Sequence, residues 1–329
     1  MRRIKRCVDF GPWIPKVIRT AALGFFVAGA LGGSPAFAQS KAEAVPGPSA
    51  AGERYIMERA GLLPPREKKA RRPVAATVET PSVGVSAAPL VFGLDVQVND
   101  STTDTAESTT QSETSMAVRG NTICAGYNDS GTNRYSGLAR STDLGATWTD
   151  LGEIGQFGDP VIAVHDASGA FYYAEIAEIG GNPAIGVAVS NDDCASFGAP
   201  VDASPVASGI ATTTLNDKPW IAVDNTGGTN DGNIYVCWTR FDPAGSELRF
   251  SRSTDGGATY VNEQILAPAG TAPFGCSVAV GSDGGVNVSW ADRTGVTQDD
   301  MRFSRATDAG VTFSAAISAA TGNRPPGTD

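Results

Sequence analysis

Four aspartates of this sequence stand in a repeated eight-residue motif, and they are the first residues whose spacing suggests a chemical role. The clearest copy is Ser253-Thr254-Asp255-Gly256-Gly257-Ala258-Thr259-Tyr260. The central aspartates lie 49, 63 and 53 residues apart along the chain. The hydroxyl, carboxylate, glycine and aromatic positions of the four copies are Ser141, Asp143, Gly145, Trp148, Ser190, Asp192, Phe197, Ser253, Asp255, Gly257, Tyr260, Asp308, Gly310 and Phe313.

Carboxylates in such a motif can serve catalysis, hold a metal ion or fix a turn. Four copies dispersed at this spacing cannot all line one site, which argues against the first two roles. A Ser hydroxyl and an Asp carboxylate accept hydrogen bonds from the backbone of a tight turn, and glycine supplies a positive φ there. We therefore expect structural corners, each with an aromatic side chain that packs between neighbouring sheets. In the second copy Cys194 replaces the glycine.

Other chemistry is restricted by composition. The chain has one histidine, His165, so a Ser-His-Asp triad or a His-ligated metal site is not expected. The segment 224–232 is rich in Asp, Asn and Gly, but it lacks the ligand spacing and the distal Glu of an EF-hand, and we interpret it as a hairpin loop. No Cys-x-x-Cys pair occurs. No metal and no cofactor are predicted.

The elements that position the motif are short β-branched segments separated by Gly, Asn and Asp. One unit contains Trp220-Ile221-Ala222-Val223, then Ile234-Tyr235-Val236-Cys237-Trp238, then Leu248-Arg249-Phe250-Ser251 and a fourth strand after the corner. Similar segments precede the other copies. Four antiparallel strands in about 50 residues form one propeller blade. The predicted fold is all-β: a β-propeller of four-stranded antiparallel blades, with about four blades present and an incomplete ring.

The motif Ser-x-Asp-x-Gly-x-Thr-aromatic resembles the Asp-box of sialidases and other BNR-repeat proteins, over about residues 105–320. The resemblance implies a sialidase-like propeller whose functional residues lie on the face opposite the corners, where the first strand of each blade begins and the second ends. Lys218 and Asn128 are among the residues at these positions. The candidates chosen for the ligand face are Asp159, Glu175, Asp217, Arg240, Asp292 and Arg293.

Family sialidases hold the substrate carboxylate with three arginines, the first of which follows Phe or Tyr and precedes Ile-Pro. That segment is missing, and the corresponding strand entry reads Gln111-Ser112-Glu113-Thr114-Ser115-Met116. Family sialidases also use a tyrosine nucleophile that is paired with a glutamate, and the sequence motifs identify no such pair here. No catalytic residue is therefore assigned. Arg240 and Arg293 occupy similar positions in their blades and either converge or form salt bridges at the surface.

Two cysteines fall on adjacent blades, since Cys237 ends a second strand and Cys276 begins the next first strand. We expect a disulfide between them. Cys124 and Cys194 lie on different parts of unlike blades and are the poorer pair.

The ends of the chain follow different patterns. Residues 1–38 combine basic, apolar and small residues and end in Ala36-Phe37-Ala38, which is typical of a Sec-type signal peptide cleaved after Ala38. Residues 39–88 form an Ala/Pro/charged segment that we interpret as a flexible linker. Residues 89–329 would be the propeller, truncated at its C-terminus, and Val91–Val98 would add a strand to the last blade. No membrane span is expected after cleavage.

The acidic charge limits the possible partners. Residues 88–329 carry 11 basic and 29 acidic side chains, and such a surface repels nucleic acid. The leading hypothesis is a secreted or periplasmic propeller that binds glycans or another surface ligand without catalysis. The first alternative is an exo-α-sialidase or related glycoside hydrolase with its catalytic residues in missing blades. The second is a structural or adhesive module of a cell envelope.

Overall fold

The computed structural model describes residues 74–75, 95–100, 111–129, 135–205, 214–295 and 298–323. All of these lie in one compact unit, Ala44–Asp329. The predicted signal peptide, most of the predicted linker and residues 324–329 lie outside the described residues. Within the described ranges, no helix is both long and apolar enough to span a membrane.

The described strands form four antiparallel sheets, which are the blades of a β-propeller. The order along the chain is β1 (Val74–Ala75), β2 (Gln111–Arg119), β3 (Thr122–Asp129), β4 (Ser136–Ser141), β5 (Thr149–Glu153), β6 (Val161–Val164), β7 (Phe171–Ile179), β8 (Asn182–Ser190), β9 (Val201–Asp202), β10 (Leu215–Val223), β11 (Ile234–Asp242), β12 (Gly245–Ser253), β13 (Val261–Ala267), β14 (Pro273–Val280), β15 (Val286–Asp292), β16 (Gln298–Ala306) and β17 (Ile317–Asn323). The predicted fold class is confirmed.

Each blade is a simple up-and-down sheet in chain order. Blade 1 is β2 to β5, blade 2 is β6 to β9, blade 3 is β10 to β13 and blade 4 is β14 to β17. Blade 1 has an additional strand, since β1, which lies within the predicted linker, pairs with β5. The first strands β2, β6, β10 and β14 contact one another in sequence order and form the inner side of an open arc.

Three hydrophobic clusters join the blades. Blades 1 and 2 share a cluster around Leu138, Phe171 and Tyr173. Blades 2 and 3 pack through Tyr172, Trp238 and Tyr260, and blades 3 and 4 through Phe250, Trp290 and their neighbours. The core therefore lies between sheets and not within one of them, so each blade depends on the next for burial of its apolar face.

The repeated motif forms the turn between the third and fourth strands of every blade, and we call these turns (141–148, 190–197, 253–260 and 306–313) the aspartate corners. In the first corner Asp143 Oδ1 accepts hydrogen bonds from Ser141 Oγ and Thr147 N, each at 2.8 Å. Thr147 Oγ1 donates to Asp143 Oδ2 at 2.6 Å. The Thr147 side chain and backbone, followed by Ser141, hold the pKa of Asp143 at about 2.

The glycine of a corner approaches the preceding blade closely. A Cβ atom on Gly310 would lie 2.8 Å from Phe250 Cζ, and one on Gly257 would lie 3.2 Å from Val189 Cγ2. The corner aromatic packs on the same neighbour, as Phe313 does on Phe250 with ring centroids 4.8 Å apart. The corners of blades 3 and 4 therefore insert backbone and ring into the blade before them.

Both cysteine pairs form disulfides, Cys237–Cys276 and Cys124–Cys194. The second pair was rated the poorer one from the sequence, and that interpretation is wrong. Cys194 occupies the glycine position of its corner, which faces the preceding blade. Cys124 occupies the β3 position that corresponds to Tyr172 and Tyr235, the residues that corner glycines contact in later blades. The disulfide replaces this contact.

The expectation that Val91–Val98 adds a strand to the last blade is also wrong for its described part. Residues 95–98 form no strand, and the sheet of blade 4 ends with its own β17. Val98 instead packs beside Trp148 and Tyr127 on blade 1, and Asp100 N donates to Asp150 Oδ2 at 2.7 Å. The segment covers the outer part of blade 1, where a preceding blade would lie.

Substitution of Gly310 by alanine tests the close approach at the corners. Gly310 and Gly284 have similar φ angles, 74° and 76°, but a Cβ on Gly284 meets no atom within 4 Å. Both substitutions force alanine into the left-handed region, which should lower the free energy of unfolding by about 1–2 kcal/mol. Gly310→Ala also displaces Phe250, which should lower it by about 1–3 kcal/mol more. Urea denaturation should show this difference; equal losses would contradict the packing described.

Candidate functional site

One backbone feature recurs where the innermost strand of each blade begins. Glu113, Asp159, Lys218 and Gly275 each precede the repeated strand motif by two residues, and their φ angles are 52°, 55°, 52° and 60°. The register of β2, β10 and β14 shifts at the same point. Only glycine takes this conformation without a cost of about 1–2 kcal/mol. Such a bulge redirects a side chain out of the sheet, so three ionisable groups face the arc's interior.

These three side chains, which we call the axial trio, contact one another across blades 1, 2 and 3. The Lys218 ammonium forms an ion pair with Glu113, and it lies 3.5 Å from Asp159 Oδ2. Asn128 joins the two acids, since its Nδ2 donates to Glu113 Oε2 at 3.0 Å and to Asp159 Oδ1 at 3.1 Å. Asn128 Oδ1 accepts from Asp159 N at 2.6 Å.

Burial and charge shift the titration of the trio. Burial raises the pKa of Glu113 to about 7, and the hydrogen bond and repulsion from Asp159 add to this, while Lys218 opposes it. Burial alone would lower the pKa of Lys218, but the charge of Asp159 and the contact with Glu113 outweigh it and raise the pKa. The trio therefore combines a permanent cation with a carboxyl group that exchanges its proton near neutral pH.

The trio lies at one wall of a cavity of about 480 Å³, which we call the axial cavity. Its other walls are aromatic and apolar, with Trp220, Phe274, Trp290 and Met301 among them. Trp220 is 43% exposed and follows Lys218 by two residues on the same inner strand. The cavity thus presents an accessible aromatic surface beside paired charges.

The structure places the residues predicted for the ligand face in different environments. Asp159 lines the cavity. Asp217 is buried, and its Oδ1 accepts a hydrogen bond from the backbone N–H of Lys218 at 2.9 Å. Glu175 is buried and accepts from Ser136 Oγ and Gln156 N, each at 2.7 Å, which ties blade 2 to blade 1.

The candidates of blades 3 and 4 also lie outside the cavity lining. Asp292 Oδ1 accepts from Thr294 N and Oγ1 at 3.1 and 2.7 Å. Arg240 faces Asp242 at 4.0 Å. Arg293 stacks 4.2 Å above the Phe274 ring and pairs with Asp299 at 3.7 Å. The two arginines therefore form local ion pairs and do not converge, and no arginine is among the described residues that line the cavity.

Sequence reasoning did not select Glu113, Lys218 or Trp220, although their signal was present. Alignment of the inner strands on Ser115, Val161, Trp220 and Ser277 places Glu113, Asp159, Lys218 and Gly275 in one column. A column of three charged residues and one glycine is compatible with a position of positive φ at which a side chain is not packed in the core.

The carboxylates of segment 224–232 form hydrogen bonds within the segment and a contact with His165 of blade 2. Asp224 Oδ1 accepts from Thr226 N and Oγ1 at 2.9 and 2.6 Å. Asp231 Oδ1 accepts from Gly227 N at 2.8 Å, and its Oδ2 lies 3.1 Å from His165 Nε2. In the described part of the chain, no three His, Cys, Asp or Glu side chains are grouped as for a metal ion.

Comparison with known proteins gives structural likenesses only. No protein-family model matches the sequence, and no curated protein matches it. A protein of unknown function from Dyadobacter fermentans DSM 18053 is 19% identical, with a TM-score of 0.49 over 65% of this chain and 70% of that one. The leech intramolecular trans-sialidase is 12% identical, with a TM-score of 0.47 over 70% of this chain and 53% of that one.

A further match is the Hadza microbial sialidase Hz136, which is 15% identical with a TM-score of 0.45 over 63% of this chain and 46% of that one. This chain therefore spans about half the length of these two sialidases. At such identities and scores, the likenesses carry no information about activity.

Replacement of Glu113 by glutamine should change the pH dependence of stability. Because the pKa of Glu113 rises from 4.5 to about 7 on folding, the folded protein binds more protons in this range than the unfolded chain. The free energy of unfolding should therefore fall as pH rises from about 4.5 to about 7. Glu113→Gln should make this decline shallower, as measured by urea denaturation at pH 5 to 8.

Asp143→Asn is the matched control, because the pKa of Asp143 is about 2 and lies below the measured range. It should lower stability without changing the slope. If Glu113→Gln leaves the slope as in the wild type, Glu113 does not titrate in the environment described.

Proposed function

We propose that this chain is a secreted propeller of the Asp-box repeat type that binds a neutral saccharide in the axial cavity. The observation that carries the proposal is the accessible Trp220 beside the paired charges of the axial trio, in one concave site of suitable size. The export signal predicted for residues 1–38 would bring this site to glycans outside the cytoplasm.

The chemistry of the cavity suits a sugar ring. The C–H face of a pyranose packs on an indole ring, whose face is electron-rich. Its hydroxyl groups donate to carboxylate oxygens such as those of Glu113 and Asp159, and they accept from the Lys218 ammonium. Charge-assisted hydrogen bonds of this kind are stronger than neutral ones and fix the ring's orientation.

The charges favour a neutral sugar over an acidic one. Two carboxyl groups and one ammonium line the cavity, and its described lining includes no arginine that could bind a sugar carboxylate as a bidentate pair. The surrounding chain is strongly acidic and repels anionic ligands at long range. An exo-α-sialidase of the family type would need arginines in the cavity to hold the carboxylate of its substrate.

The spacing of the acids supports binding and not hydrolysis. Glycosidases place their two carboxyl groups about 5–9.5 Å apart, on either side of the bond that breaks. Here the Asn128 amide donates to both Glu113 and Asp159, and the Lys218 ammonium contacts both of them. A glycosidic bond would have to displace these donors to lie between the two carboxyl groups.

Replacement of Trp220 by alanine tests the proposal. An array of neutral and sialylated oligosaccharides should identify a neutral ligand, and calorimetry with that ligand should give at least a tenfold weaker affinity for Trp220→Ala. A tenfold loss corresponds to about 1.4 kcal/mol, the size expected for an aromatic stacking contact. Ile265→Ala, an exposed apolar residue on β13 outside the cavity lining, is the control and should bind normally.

Two results would contradict this function. A folded protein that binds no glycan on the array would favour a structural or adhesive module. Turnover of a fluorogenic sialoside by the purified protein would favour the exo-α-sialidase alternative, in which case Trp220→Ala and wild type should be compared by kcat and KM.

A further inference from the structure

The two disulfides differ in their access to the axial cavity. Cys276 is one of the residues that line the cavity, and it is partly exposed, whereas its partner Cys237 is fully buried between blades 3 and 4. Cys124 and Cys194 are both 0% exposed, and neither is among the described residues that line the cavity. In the described part of the chain, one disulfide thus borders the cavity and the other is enclosed by the core.

Each cysteine of the disulfide that borders the cavity has an indole beside it. Cys237 on β11 stands directly opposite Trp220 on β10. Cys276 on β14 stands directly opposite Trp290 on β15. The side chains of directly opposed residues in an antiparallel pair lie on the same face of the sheet, with Cβ atoms about 4.5–5.5 Å apart. Since both indoles line the cavity, the disulfide adjoins the aromatic surface of the proposed binding site.

The same disulfide joins two walls of the cavity. It connects β11 of blade 3 to the beginning of β14 in blade 4, where Gly275 has a φ of 60°. Two weaker contacts join these strands at the same place. Gly275 N donates to Thr239 Oγ1 at 3.0 Å, and the rings of Phe274 and Phe241 lie 6.3 Å apart. Without the covalent bond, this wall would depend on non-covalent contacts and would move more freely against Trp220.

We propose that Cys237–Cys276 is a modification site, at which small thiols that enter the axial cavity exchange with the disulfide and loosen the wall beside Trp220. The thiolate of the reagent attacks Cys276 Sγ, because Cys276 is the cysteine on the cavity side. A new S–S bond forms between the reagent and Cys276, the Cys237–Cys276 bond breaks, and its electron pair leaves on Cys237 Sγ, which takes up a proton.

The product depends on the reagent. A monothiol leaves a mixed disulfide on Cys276. With a dithiol, the second thiolate attacks the reagent's own sulfur in this mixed disulfide, and Cys276 leaves as a thiolate that takes up a proton. The protein then holds two thiols, and the reagent has become a cyclic disulfide. The dithiol has thus supplied two electrons and two protons.

Limited reduction of the folded full chain tests the proposal. The protein is treated with dithiothreitol under conditions in which its circular dichroism is unchanged, and free thiols are alkylated and located by peptide mass spectrometry. The Cys237–Cys276 pair should be labelled at least about tenfold faster than the Cys124–Cys194 pair. Equal rates would overturn the proposal, since both bonds would then open only on unfolding. So would a folded protein in which neither pair reacts.

A charge at the cavity wall tests the route of the reagent. Met301 lines the cavity and is 40% exposed, so Met301→Glu places a carboxylate there that repels the incoming thiolate. At low salt, exchange at Cys276 should slow by about threefold or more. Ile265→Glu, on β13 outside the described lining of the cavity, is the matched control and should react as the wild type does. Equal rates for the two variants would contradict entry through the cavity.

Tryptophan emission reports the state of the wall without any ligand. A disulfide quenches the fluorescence of an adjacent indole, so selective reduction should raise the emission, and the rise should be smaller in Trp220→Phe. An unchanged emission after selective labelling would contradict the placement of the disulfide beside Trp220. Weaker saccharide binding by the reduced protein is a further consequence that rests on the proposed function, whereas the labelling and the emission do not.

Discussion

The close approach of the aspartate corners of blades 2, 3 and 4 to the preceding blade is the contact on which the other features depend. Gly257 and Gly310 bring corner backbone against Val189 and Phe250, where an added Cβ would lie 3.2 Å and 2.8 Å from the nearest atom of these side chains. Blade 2 makes the same approach with a cysteine and converts it into a covalent bond to Cys124. Repetition of this contact sets the distance between inner strands, and the sheets bury their apolar faces only at that distance.

The axial trio is a consequence of that spacing. Glu113 and Lys218 are 105 residues apart in sequence and belong to blades that do not follow each other directly. They meet because three inner strands begin at the same end of the arc and each is preceded or opened by a residue with positive φ. The left-handed backbone at these positions is unfavourable, and so is the proximity of two carboxyl groups, of which that of Asp159 is buried. Inter-blade packing and the Lys218 ion pairs offset these costs.

The fold was predictable because its signal is local and repeated. Four corners and alternating β-branched segments define four blades before any tertiary contact is known. The site was less predictable, because its members are single residues of different types. Asp159 is a candidate because of its position at a strand entry. Glu113 appears in the sequence analysis only as part of a strand entry that lacks the arginine of family sialidases. Cys124–Cys194 was missed for a similar reason, since a cysteine in a glycine position becomes informative only after the repeats are aligned.

The electrostatic contact between Lys218 and Glu113 is the most direct measure of the blade arrangement. A Lys218→Met variant labelled with ¹³C at glutamate carboxyl carbons would report the Glu113 pKa by NMR. Since the Lys218 charge lowers that pKa, its removal should move the titration of Glu113 to higher pH than in the wild type. An unchanged Glu113 titration in a folded variant would contradict the placement of blades 1 and 3 around one axis.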